Sequence, residues 1–275
     1  MDTSRFDLSG RTALITGGGG LLGPEHGIGL ARFGAAIVLI DINEDGLRNA
    51  KERVLSQIPE AFVETAIVDI IDEQALCVLR DRLKCDGFHI DILINNAVLN
   101  PKMDTFIGET SGTVENYDMD LWEQELKVGI TGTFLCCKIF GSQMALRGKG
   151  TIVNIASDLA IQAPDQRVYS LTGKIEDVHH FKPIGYPVVK STMLGLNRYL
   201  ATYWAHCGVR VNCLIPGAVL NKQFDSLIKQ ISDRVPLKRL AEKTEYQEAV
   251  VFLASDASSY MTGQEIVMDG GRSIW

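Results

Sequence analysis

The chain has 275 residues, of which 46% are apolar and 22% are charged, and its formal net charge is −7. This composition is typical of a globular protein and excludes a disordered or fibrous one. The acidic balance argues against broad binding to nucleic acid or anionic membranes, because both need a basic surface. No apolar run has the length of a membrane span, and residues 1–11 carry no signal-peptide pattern, so we expect a cytoplasmic protein.

Short apolar segments alternate with helix-length segments along the whole chain. Seven segments are predicted as strands: Thr12–Thr16, Ala36–Asp41, Phe62–Asp69, Ile90–Asn95, Gly150–Ser157, Val209–Ile215 and Glu265–Met268. Six segments are predicted as helices: Leu22–Phe33, Glu44–Ile58, Glu73–Lys84, Leu121–Leu146, Pro187–His206 and Tyr246–Ala254. This alternation favours right-handed crossovers and a parallel sheet covered on both faces. No linker or repeat divides residues 1–275, so we predict a single α/β domain.

Two longer connections interrupt the alternation. One is the polar segment Leu99–Asp120, and the other is Leu159–Gly185, whose length indicates a functional loop. The six cysteines form no C-x-x-C pair and no Cys/His cluster with zinc spacing. We therefore expect reduced cysteines and no metal site.

A glycine-rich turn follows the first predicted strand, because residues 17–23 read Gly-Gly-Gly-Gly-Leu-Leu-Gly and lead into the first predicted helix. Strand, glycines and helix in this order are typical of dinucleotide binding, since the backbone can approach a pyrophosphate closely at a helix N-terminus. A helix that began after the later pair Gly27 and Gly29 would have only one turn before the next strand. The predicted cofactor-binding residues of the turn are Gly17, Gly20, Leu22 and Gly23.

The second predicted strand ends in Asp41, 24 residues after Gly17. A carboxylate at this place accepts hydrogen bonds from the ribose hydroxyls of NAD and repels the 2′-phosphate of NADP. Neither of the next two residues is basic, and Arg48 is the nearest candidate for holding such a phosphate. We therefore predict NAD as the cofactor, with NADP as the alternative.

Tyr186 and Lys190 are four residues apart at the start of a predicted helix, so their side chains share one face of it. Interconversion of an alcohol and a ketone needs a proton donor or acceptor at the substrate oxygen, and a free tyrosine has a pKa near 10. A cation about 4 Å from a phenolate stabilises it by roughly 4 kcal/mol, or about 3 pK units, at an effective dielectric of about 20. We therefore expect Lys190 to bring the pKa of Tyr186 into the working range.

Tyr169 competes for the same role. A lysine, Lys174, stands at the fifth position after it rather than the fourth, and charged, aperiodic residues follow. The residues after Tyr186 include apolar side chains at helical spacing: Val189, Met193, Leu196, Leu200 and Trp204. We therefore predict Tyr186 as the catalytic tyrosine and an insertion at about 159–185.

Several motifs occur in register: T-G-G-G-G-L-L-G at 16–23, N-N-A at 95–97, N-I-A-S at 154–157, Y-P-V-V-K at 186–190 and P-G at 216–217. With these motifs, the sequence from Gly10 to Gly271 resembles the short-chain dehydrogenase/reductase family. The resemblance implies a Rossmann-type, doubly wound parallel sheet of seven strands. It implies an NAD-dependent oxidoreductase that interconverts a secondary alcohol and a ketone. It also implies a homotetramer or homodimer that assembles through residues 121–146 and 187–206.

The resemblance further implies roles for particular residues. Ser157 would hydrogen-bond the substrate oxygen and complete a catalytic set with Tyr186 and Lys190. Other residues match the family's contacts with the adenine, the adenosine ribose and the nicotinamide half of the cofactor. These implied contacts are Asp69, Ile70, Asn96, Ala97, Tyr186, Lys190 and Gly217.

Gly129 departs from the family pattern, because many members carry there an asparagine that supports a water linked to the catalytic lysine. A glycine within a helix costs about 1 kcal/mol relative to alanine, so we expect a packing or backbone reason for it. The departure keeps a non-catalytic dinucleotide sensor open as an alternative function. The intact residues Ser157, Tyr186 and Lys190 favour an enzyme.

Within the family, the sequence is similar to bacterial oxidoreductases of surface-sugar and nonulosonic-acid pathways. Reduction of a lipid, steroid or polyketide ketone is the alternative. The insertion carries cations that suit a cover over an anionic substrate, and a solvated surface excursion is the alternative to that cover. The cations are Arg167, Lys174, His179, His180 and Lys182.

Overall fold

The structure is a computed structural model that describes residues 4–101, 113–170 and 181–275. Its centre is one sheet of seven strands in the order β3-β2-β1-β4-β5-β6-β7, in which every neighbouring pair is parallel. The strands are β1 (Thr12–Thr16), β2 (Ala36–Asp41), β3 (Val63–Ile67), β4 (Ile90–Asn95), β5 (Gly150–Ile155), β6 (Val209–Pro216) and β7 (Glu265–Met268). The predicted α/β fold with a doubly wound parallel sheet is confirmed.

Helices connect these strands and cover both faces of the sheet. Those in the described residues are α1 (Gly23–Arg32), α2 (Glu44–Gln57), α3 (Glu73–Cys85), α4 (Met119–Leu126), α5 (Thr133–Cys136), α6 (Ser142–Arg147), α7 (Gly185–Trp204), α8 (Asp225–Asp233) and α9 (Gln247–Ala254). Two stretches of π-helix, Lys127–Gly132 and Cys137–Gly141, join α4, α5 and α6 into one continuous helical rod. The segment predicted as one helix at 121–146 is therefore helical but has two wider turns.

The core consists of two apolar layers, because successive side chains of a strand point to opposite faces of the sheet. Ile15 of β1 packs with α1, α2 and α9 on one face. Leu14, its neighbour, packs on the other face with α3, the helical rod and α7. This burial on both faces explains why β1 and β2 are almost continuous apolar runs.

The strand order reverses between β1 and β4, because β2 lies on one side of β1 and β4 on the other. Ligands of open α/β sheets bind at the carboxyl ends of the strands beside such a reversal. The turns after β1, β4 and β5 therefore border the crevice where a ligand is expected to bind.

Two elements differ from the sequence predictions. The strand predicted at 150–157 ends at Ile155, since Ser157 leaves the sheet and its oxygen accepts the Leu159 N–H at 3.2 Å, which starts a 3-10 turn at Asp158–Ala160. Helix α8 was not predicted, although Leu227, Ile228 and Ile231 have helical spacing. In the part of the chain that the structure describes, no helix combines the length and apolarity needed to cross a membrane.

Candidate active site

The turn after β1 forms a tight glycine cradle. Gly17 has a φ of +63°, and a Cβ at Gly17 would lie 2.9 Å from the Cα of Ala97. A Cβ at Gly23 would overlap the carbonyl oxygen of Gly17. Gly20 and Leu21 are exposed at the mouth of the cradle. These contacts explain why the chain has glycine at both ends of the turn.

Two further glycines of this turn serve packing. A Cβ at Gly18 would lie 2.7 Å from the Cβ of Leu39, and one at Gly19 would lie 2.8 Å from the carbonyl carbon of Gly46. The sequence motif did not distinguish these positions from those that face a ligand. The glycine run thus allows the turn to pack closely against β2 and α2, and it also keeps side chains out of the cradle.

Helix α1 begins without a side-chain cap, unlike its neighbours. Its N-cap residue is Leu22, whereas the Asn43 and Asp72 side chains accept backbone N–H groups at the starts of α2 and α3. The first N–H groups of a helix have no partner within the helix, and an anion can satisfy them. The predicted start of the helix near Leu22 is confirmed, and Gly27 and Gly29 lie inside it.

Asp41 ends β2 beside this cradle. Its carboxylate accepts the Gly19 N–H at 3.0 Å through Oδ2 and the Asn43 N–H at 3.0 Å through Oδ1. The side chain is partly exposed, so each oxygen retains a lone pair for a further donor. Asp41 therefore shapes the cradle in addition to offering a carboxylate at its edge.

Asn96 ties the turn after β4 to the glycine cradle. Its Nδ2 donates to the carbonyl oxygens of Thr16 at 3.0 Å and Gly17 at 3.1 Å. In return, the Thr16 hydroxyl oxygen accepts the N–H groups of Asn96 and Ala97, both at 3.0 Å. Both amide hydrogens of Asn96 are therefore used in positioning the cradle, and Ala97 closes one wall of it.

The other implied cofactor contacts differ in exposure. Asp69 is exposed, and its Oδ1 accepts the Ile71 N–H at 3.1 Å. Ile70 is buried in the core, where its Cδ1 lies 2.6 Å from the place a Cβ on Gly132 would occupy. Gly217 follows β6 at the same edge of the sheet, and a Cβ there would lie 2.7 Å from the Cα of Asp269. The side chain of Ile70 is therefore unavailable to a ligand, and its backbone is the only part of this residue that a ligand can contact.

Ser157, Tyr186 and Lys190 come together at the carboxyl edge of the sheet. Tyr186 lies in the first turn of α7, close enough to Ser157 for the serine hydroxyl to lower its pKa. Lys190, one turn further on, has its Nζ 5.8 Å from the centroid of the Tyr186 ring. The Lys190 ammonium is 4% exposed and donates to the carbonyl oxygen of Ile155 at 2.6 Å. The three predicted catalytic side chains thus form one contiguous group.

The pKa of Tyr186 differs from the sequence expectation. Burial raises it to about 12, the negative charge of Asp158 adds to this, and the hydrogen bond with Ser157 opposes it. Burial also lowers the pKa of Lys190 to about 8. The expectation that Lys190 lowers the pKa of Tyr186 into the working range is therefore wrong for the protein by itself. The Lys190 ammonium donates to the carbonyl oxygen of Ile155, and Lys190 is not among the groups that shift the pKa of Tyr186.

A second lysine contacts Tyr186 from the insertion. The Nζ of Lys182 lies 4.4 Å from the centroid of the Tyr186 ring and donates to Oδ1 of Asn100 at 2.7 Å. Burial lowers the pKa of Lys182 to about 8, although the carboxylates of Glu125 and Asp158 raise it. This contact places a second cation at the site, closer to the centre of the tyrosine ring than the sequence-predicted partner Lys190.

A buried carboxyl group supports the start of α7. Glu125 is fully buried, and its Oε2 accepts the Tyr117 hydroxyl at 2.6 Å. A Cβ on Gly185 would overlap this carboxyl group, so a larger residue immediately before Tyr186 would displace the Glu125 side chain. Burial raises the pKa of Glu125. Sequence reasoning gave no role to Glu125 or to Tyr117.

Gly129 lies in the first π-helical stretch, directly against α7. A Cβ at Gly129 would overlap Cγ1 of Val189 and lie 3.1 Å from its Cγ2. Val189 is next to Lys190, so this close approach sets the distance between the rod and the catalytic helix. The structure therefore supplies the packing reason that the sequence led us to expect for Gly129.

The described part of the insertion docks on α8. Asp165 accepts Arg234 at 2.7 Å and Arg167 at 2.8 Å, and Gln230 donates to the carbonyl oxygen of Ser170. Arg167 and Arg234 thus share one carboxylate, and the role of Arg167 in covering a substrate stays a prediction. Three further cations of the predicted cover lie outside the described residues: Lys174, His179 and His180.

The chain is similar over nearly its whole length to known oxidoreductases. A family model described as enoyl-(acyl carrier protein) reductase matches residues 23–273. Galactitol 2-dehydrogenase (L-tagatose-forming) of Cereibacter sphaeroides is 30% identical over 276 residues, which cover 98% of each chain. The crystal structure of an NAD⁺-bound xylitol dehydrogenase has a TM-score of 0.81 at 26% identity, covering 96% of this chain and 99% of its own. A gluconate 5-dehydrogenase from Burkholderia cenocepacia, in complex with NADP and tartrate, has a TM-score of 0.83 at 27% identity, covering 98% and 97%.

The chain belongs to the short-chain dehydrogenase/reductase family. It is thus a nucleotide-dependent oxidoreductase, as the sequence motifs predict. This dehydrogenase has a site that fits a nicotinamide dinucleotide, because the cradle excludes side chains, α1 starts uncapped and Asp41 stands at its edge. Within the described residues, no three His, Cys, Asp or Glu side chains come together as a metal site.

Proposed function

We propose that this dehydrogenase interconverts a secondary alcohol and a ketone on a polyhydroxylated substrate, a polyol or a sugar acid, with NAD(H). The convergence of Ser157, Tyr186 and Lys190 at the carboxyl edge of the sheet, beside the glycine cradle, carries the proposal. The relatives named for galactitol and D-threitol and the structural neighbours named for gluconate and xylitol support the substrate class.

The site residues divide the chemistry among them. When bound, the nicotinamide accepts or donates the hydride. Tyr186 moves the proton at the substrate oxygen, and Ser157 holds that oxygen. A pKa of about 12 keeps the proton on Tyr186, which suits an acid that protonates the oxygen during ketone reduction. In alcohol oxidation, the cations Lys190 and Lys182 beside the ring favour the phenolate.

Asp41 supports NAD as the cofactor. Its carboxylate faces the place where the resemblance puts the adenosine ribose, and a 2′-phosphate there would meet like charge. Arg48, the nearest basic candidate, forms an ion pair with Asp45 on the surface of α2. The proposed cofactor contacts remain Gly17, Gly20, Leu22, Gly23, Asp41, Asp69, the Ile70 backbone, Asn96, Ala97, Tyr186, Lys190 and Gly217.

A nonulosonic-type sugar is a second candidate substrate. Lys182 favours it, because its ammonium stands beside Tyr186 where a carboxylate of the substrate can reach it. The similarity of the motif at 16–23 to surface-sugar enzymes points the same way. In this proposal, the insertion at 159–185 covers the substrate and Lys182 is its anion-binding residue.

We also propose that the protein works as a homodimer or homotetramer in the cytoplasm. Exposed apolar side chains on the rod and on α7 support assembly: Phe134, Leu146, Tyr199 and Tyr203. The free cysteines, three of them buried, suit a reducing compartment.

A substrate screen tests the proposed function. The purified protein is incubated with NAD or NADP and with xylitol, galactitol, D-threitol, D-gluconate or a nonulosonic acid, and NAD(P)H absorbance is followed. We expect NAD reduction with at least one of these alcohols and slower reduction of NADP. A protein that binds NAD yet turns over none of them in either direction contradicts the proposed substrate class.

A further inference from the structure

In this structure the Ser157 hydroxyl donates its only proton to the residue that follows it, and it must turn away from that residue to hold a substrate oxygen. The Ser157 hydroxyl donates to Oδ1 of Asp158 at 2.9 Å, and the two residues are 7% and 3% exposed. A hydroxyl has one proton, so Ser157 cannot donate to Asp158 and to Tyr186 at the same time. While that proton points to Asp158, a Tyr186 phenolate lacks the donation from Ser157 that would lower the pKa of Tyr186.

Arg272 pairs with the other oxygen of the same carboxylate. Its guanidinium donates to Oδ2 of Asp158, and the two side chains are 11% and 4% exposed. A charge-assisted pair with so little solvent holds both partners in place. The chain of contacts therefore runs from Tyr186 through Ser157 and Asp158 to Arg272.

The turn that carries Arg272 is built to present it. Gly270 and Gly271 have φ values of +67° and +88°, which favour glycine. The Asp269 carboxylate accepts the N–H groups of Gly271 at 2.8 Å and Ser273 at 2.7 Å. This turn after β7 reaches back across the sheet edge to the turn after β5, which is 114 residues earlier.

We propose that Asp158 and Arg272 are positioning residues that set the hydrogen-bond direction of Ser157 and thereby the proton affinity of Tyr186. Asp158 draws the Ser157 proton away from Tyr186 and adds a negative charge nearby. Arg272 neutralises most of that charge. The proposal deepens the proposed function, since it rests on Tyr186 as the group that moves the proton.

The effect of the pair has to be separated from that of the other charges around Tyr186. The groups that face this tyrosine or its immediate neighbours are Lys190 on α7, Lys182 and Tyr169 from the insertion, Asp158, Arg272 and, against Gly185, Glu125. The two lysines favour the phenolate and Asp158 favours the phenol. Glu125 is bound to Tyr117, and Tyr169 is a neutral phenol whose pKa burial raises to about 12.

Removing the negative charge of Asp158 and removing the positive charge of Arg272 should therefore shift the midpoint of the Tyr186 titration in opposite directions. Asp158→Asn removes the negative charge and should lower the midpoint of the Tyr186 titration by about one pH unit. Arg272→Gln leaves the carboxylate without its partner and should raise the midpoint, so that Tyr186 remains a phenol where the unmodified protein titrates. The double variant should return close to the starting value.

The measurement uses the cofactor-free protein with ¹³C at the tyrosine ζ carbon, titrated by NMR over the pH range in which circular dichroism shows it folded. Tyr186→Phe identifies the signal. Arg272→Lys, which keeps the charge, should leave the midpoint within about 0.3 unit. In a Ser157→Ala background, the Asp158→Asn shift should fall by at least half, because the hydroxyl that links the two groups is gone.

Three results would overturn the proposal: no shift in Asp158→Asn, shifts of the same sign in Asp158→Asn and Arg272→Gln, or an undiminished shift without the Ser157 hydroxyl. If Arg272→Gln does not fold, the titration midpoints of Asp158→Asn, the double variant and Arg272→Lys still test the proposal. Arg11→Gln is the matched control. It breaks the Arg11–Asp256 ion pair between distant segments and should leave the midpoint of the Tyr186 titration unchanged. The titration needs no substrate, so shifts as expected without turnover in the screen would refute the substrate proposal alone.

Discussion

At the scale of single residues, the two tyrosines near Ser157 make a direct comparison. Tyr186→Phe keeps the ring against Lys182 but removes the transferable proton, so turnover should fall by about 10²-fold or more while NAD binding persists. Tyr169→Phe should reduce turnover much less. Steady-state kinetics with the best substrate of the screen, together with NAD titration, measures both. The reverse ranking would transfer the catalytic role to Tyr169.

His26, in the first half of α1, is a buried titratable group that the proposed chemistry does not use. It is fully buried, and neither ring nitrogen makes a well-formed hydrogen bond to any residue in the described ranges. Burial lowers the pKa of His26 to about 4, the Asn96 side chain beside it acts in the opposite sense, and the Lys190 charge adds to the lowering. The native protein therefore keeps this imidazole neutral.

This histidine predicts a loss of stability in mild acid. Between pH 6.5 and pH 4, the unfolded chain binds a proton at His26 that the native protein does not, so the free energy of unfolding falls as the pH falls. The loss from pH 7 to pH 4.5 should be about 2 kcal/mol. Urea unfolding at both pH values measures it, and His26→Leu should remove most of the difference. An equal loss in His26→Leu would assign the acid sensitivity to other groups.

The residues that could be predicted from the sequence are those that work through short motifs. The grouping of Tyr186, Lys190 and Ser157 could be predicted because helical spacing and the ends of strands bring them to one edge of the sheet, and their catalytic roles stay predictions. Asp158 and Arg272 could not be paired in advance, since 114 residues separate them and only the tertiary fold joins them. The pKa values of Tyr186 and Lys190 could not be predicted either, because they depend mainly on burial, which the spacing of residues in the sequence does not give.

At the scale of elements, the close packing of the helical rod on α7 makes Gly129 a sensitive position. Gly129→Ala would drive a methyl group into Val189, a β-branched side chain with little rotamer freedom. We expect a loss of about 1–3 kcal/mol in the free energy of unfolding. Adding Val189→Ala should recover part of it, because the space then opens.

The matched control for Gly129 is Gly195 of α7. A Cβ at Gly195 has nothing within 4 Å, so Gly195→Ala should be neutral or stabilise the protein by about 0.5–1 kcal/mol. Denaturant unfolding compares the variants. A Gly129→Ala protein as stable as the unmodified one would show that the rod and α7 can move apart. Gly129→Asn, which places an even larger side chain there, should lose at least as much stability as Gly129→Ala.

Element boundaries were predictable where apolar runs and turn residues coincide, as in β1, β2, β4 and β7. The π-helical stretches were not, because an extra residue in one turn leaves the apolar spacing almost unchanged. Helix α8 was missed because it is only nine residues long, although its apolar residues have helical spacing. Ser157 was placed in β5 because the apolar run continues past the last sheet pairing.

At the scale of the whole molecule, exposed aromatic side chains on α7 predict self-association. Tyr199 and Tyr203 are 66% and 57% exposed and stack on each other with ring centroids 5.9 Å apart. Analytical ultracentrifugation should give a mass of two or four chains, and Tyr199→Glu with Tyr203→Glu should lower it. Val78→Glu, at an exposed apolar residue of α3, is the control. A monomer before any substitution would contradict the proposed assembly.

The environment of Lys182 also has a consequence for chemical reactivity. With a pKa of about 8, roughly one in ten of its amines is uncharged at pH 7, against about one in three thousand for an ordinary lysine. An uncharged amine is a nucleophile, and Lys182 is partly exposed whereas Lys190 is 4% exposed. An acylating or aldehyde reagent should therefore modify Lys182 well before the surface lysines. Because that amine stands over the ring of Tyr186, the tyrosine that we propose as catalytic, we expect the covalent adduct to inactivate the enzyme and Lys182 to serve as an anchoring point for targeted inhibitors.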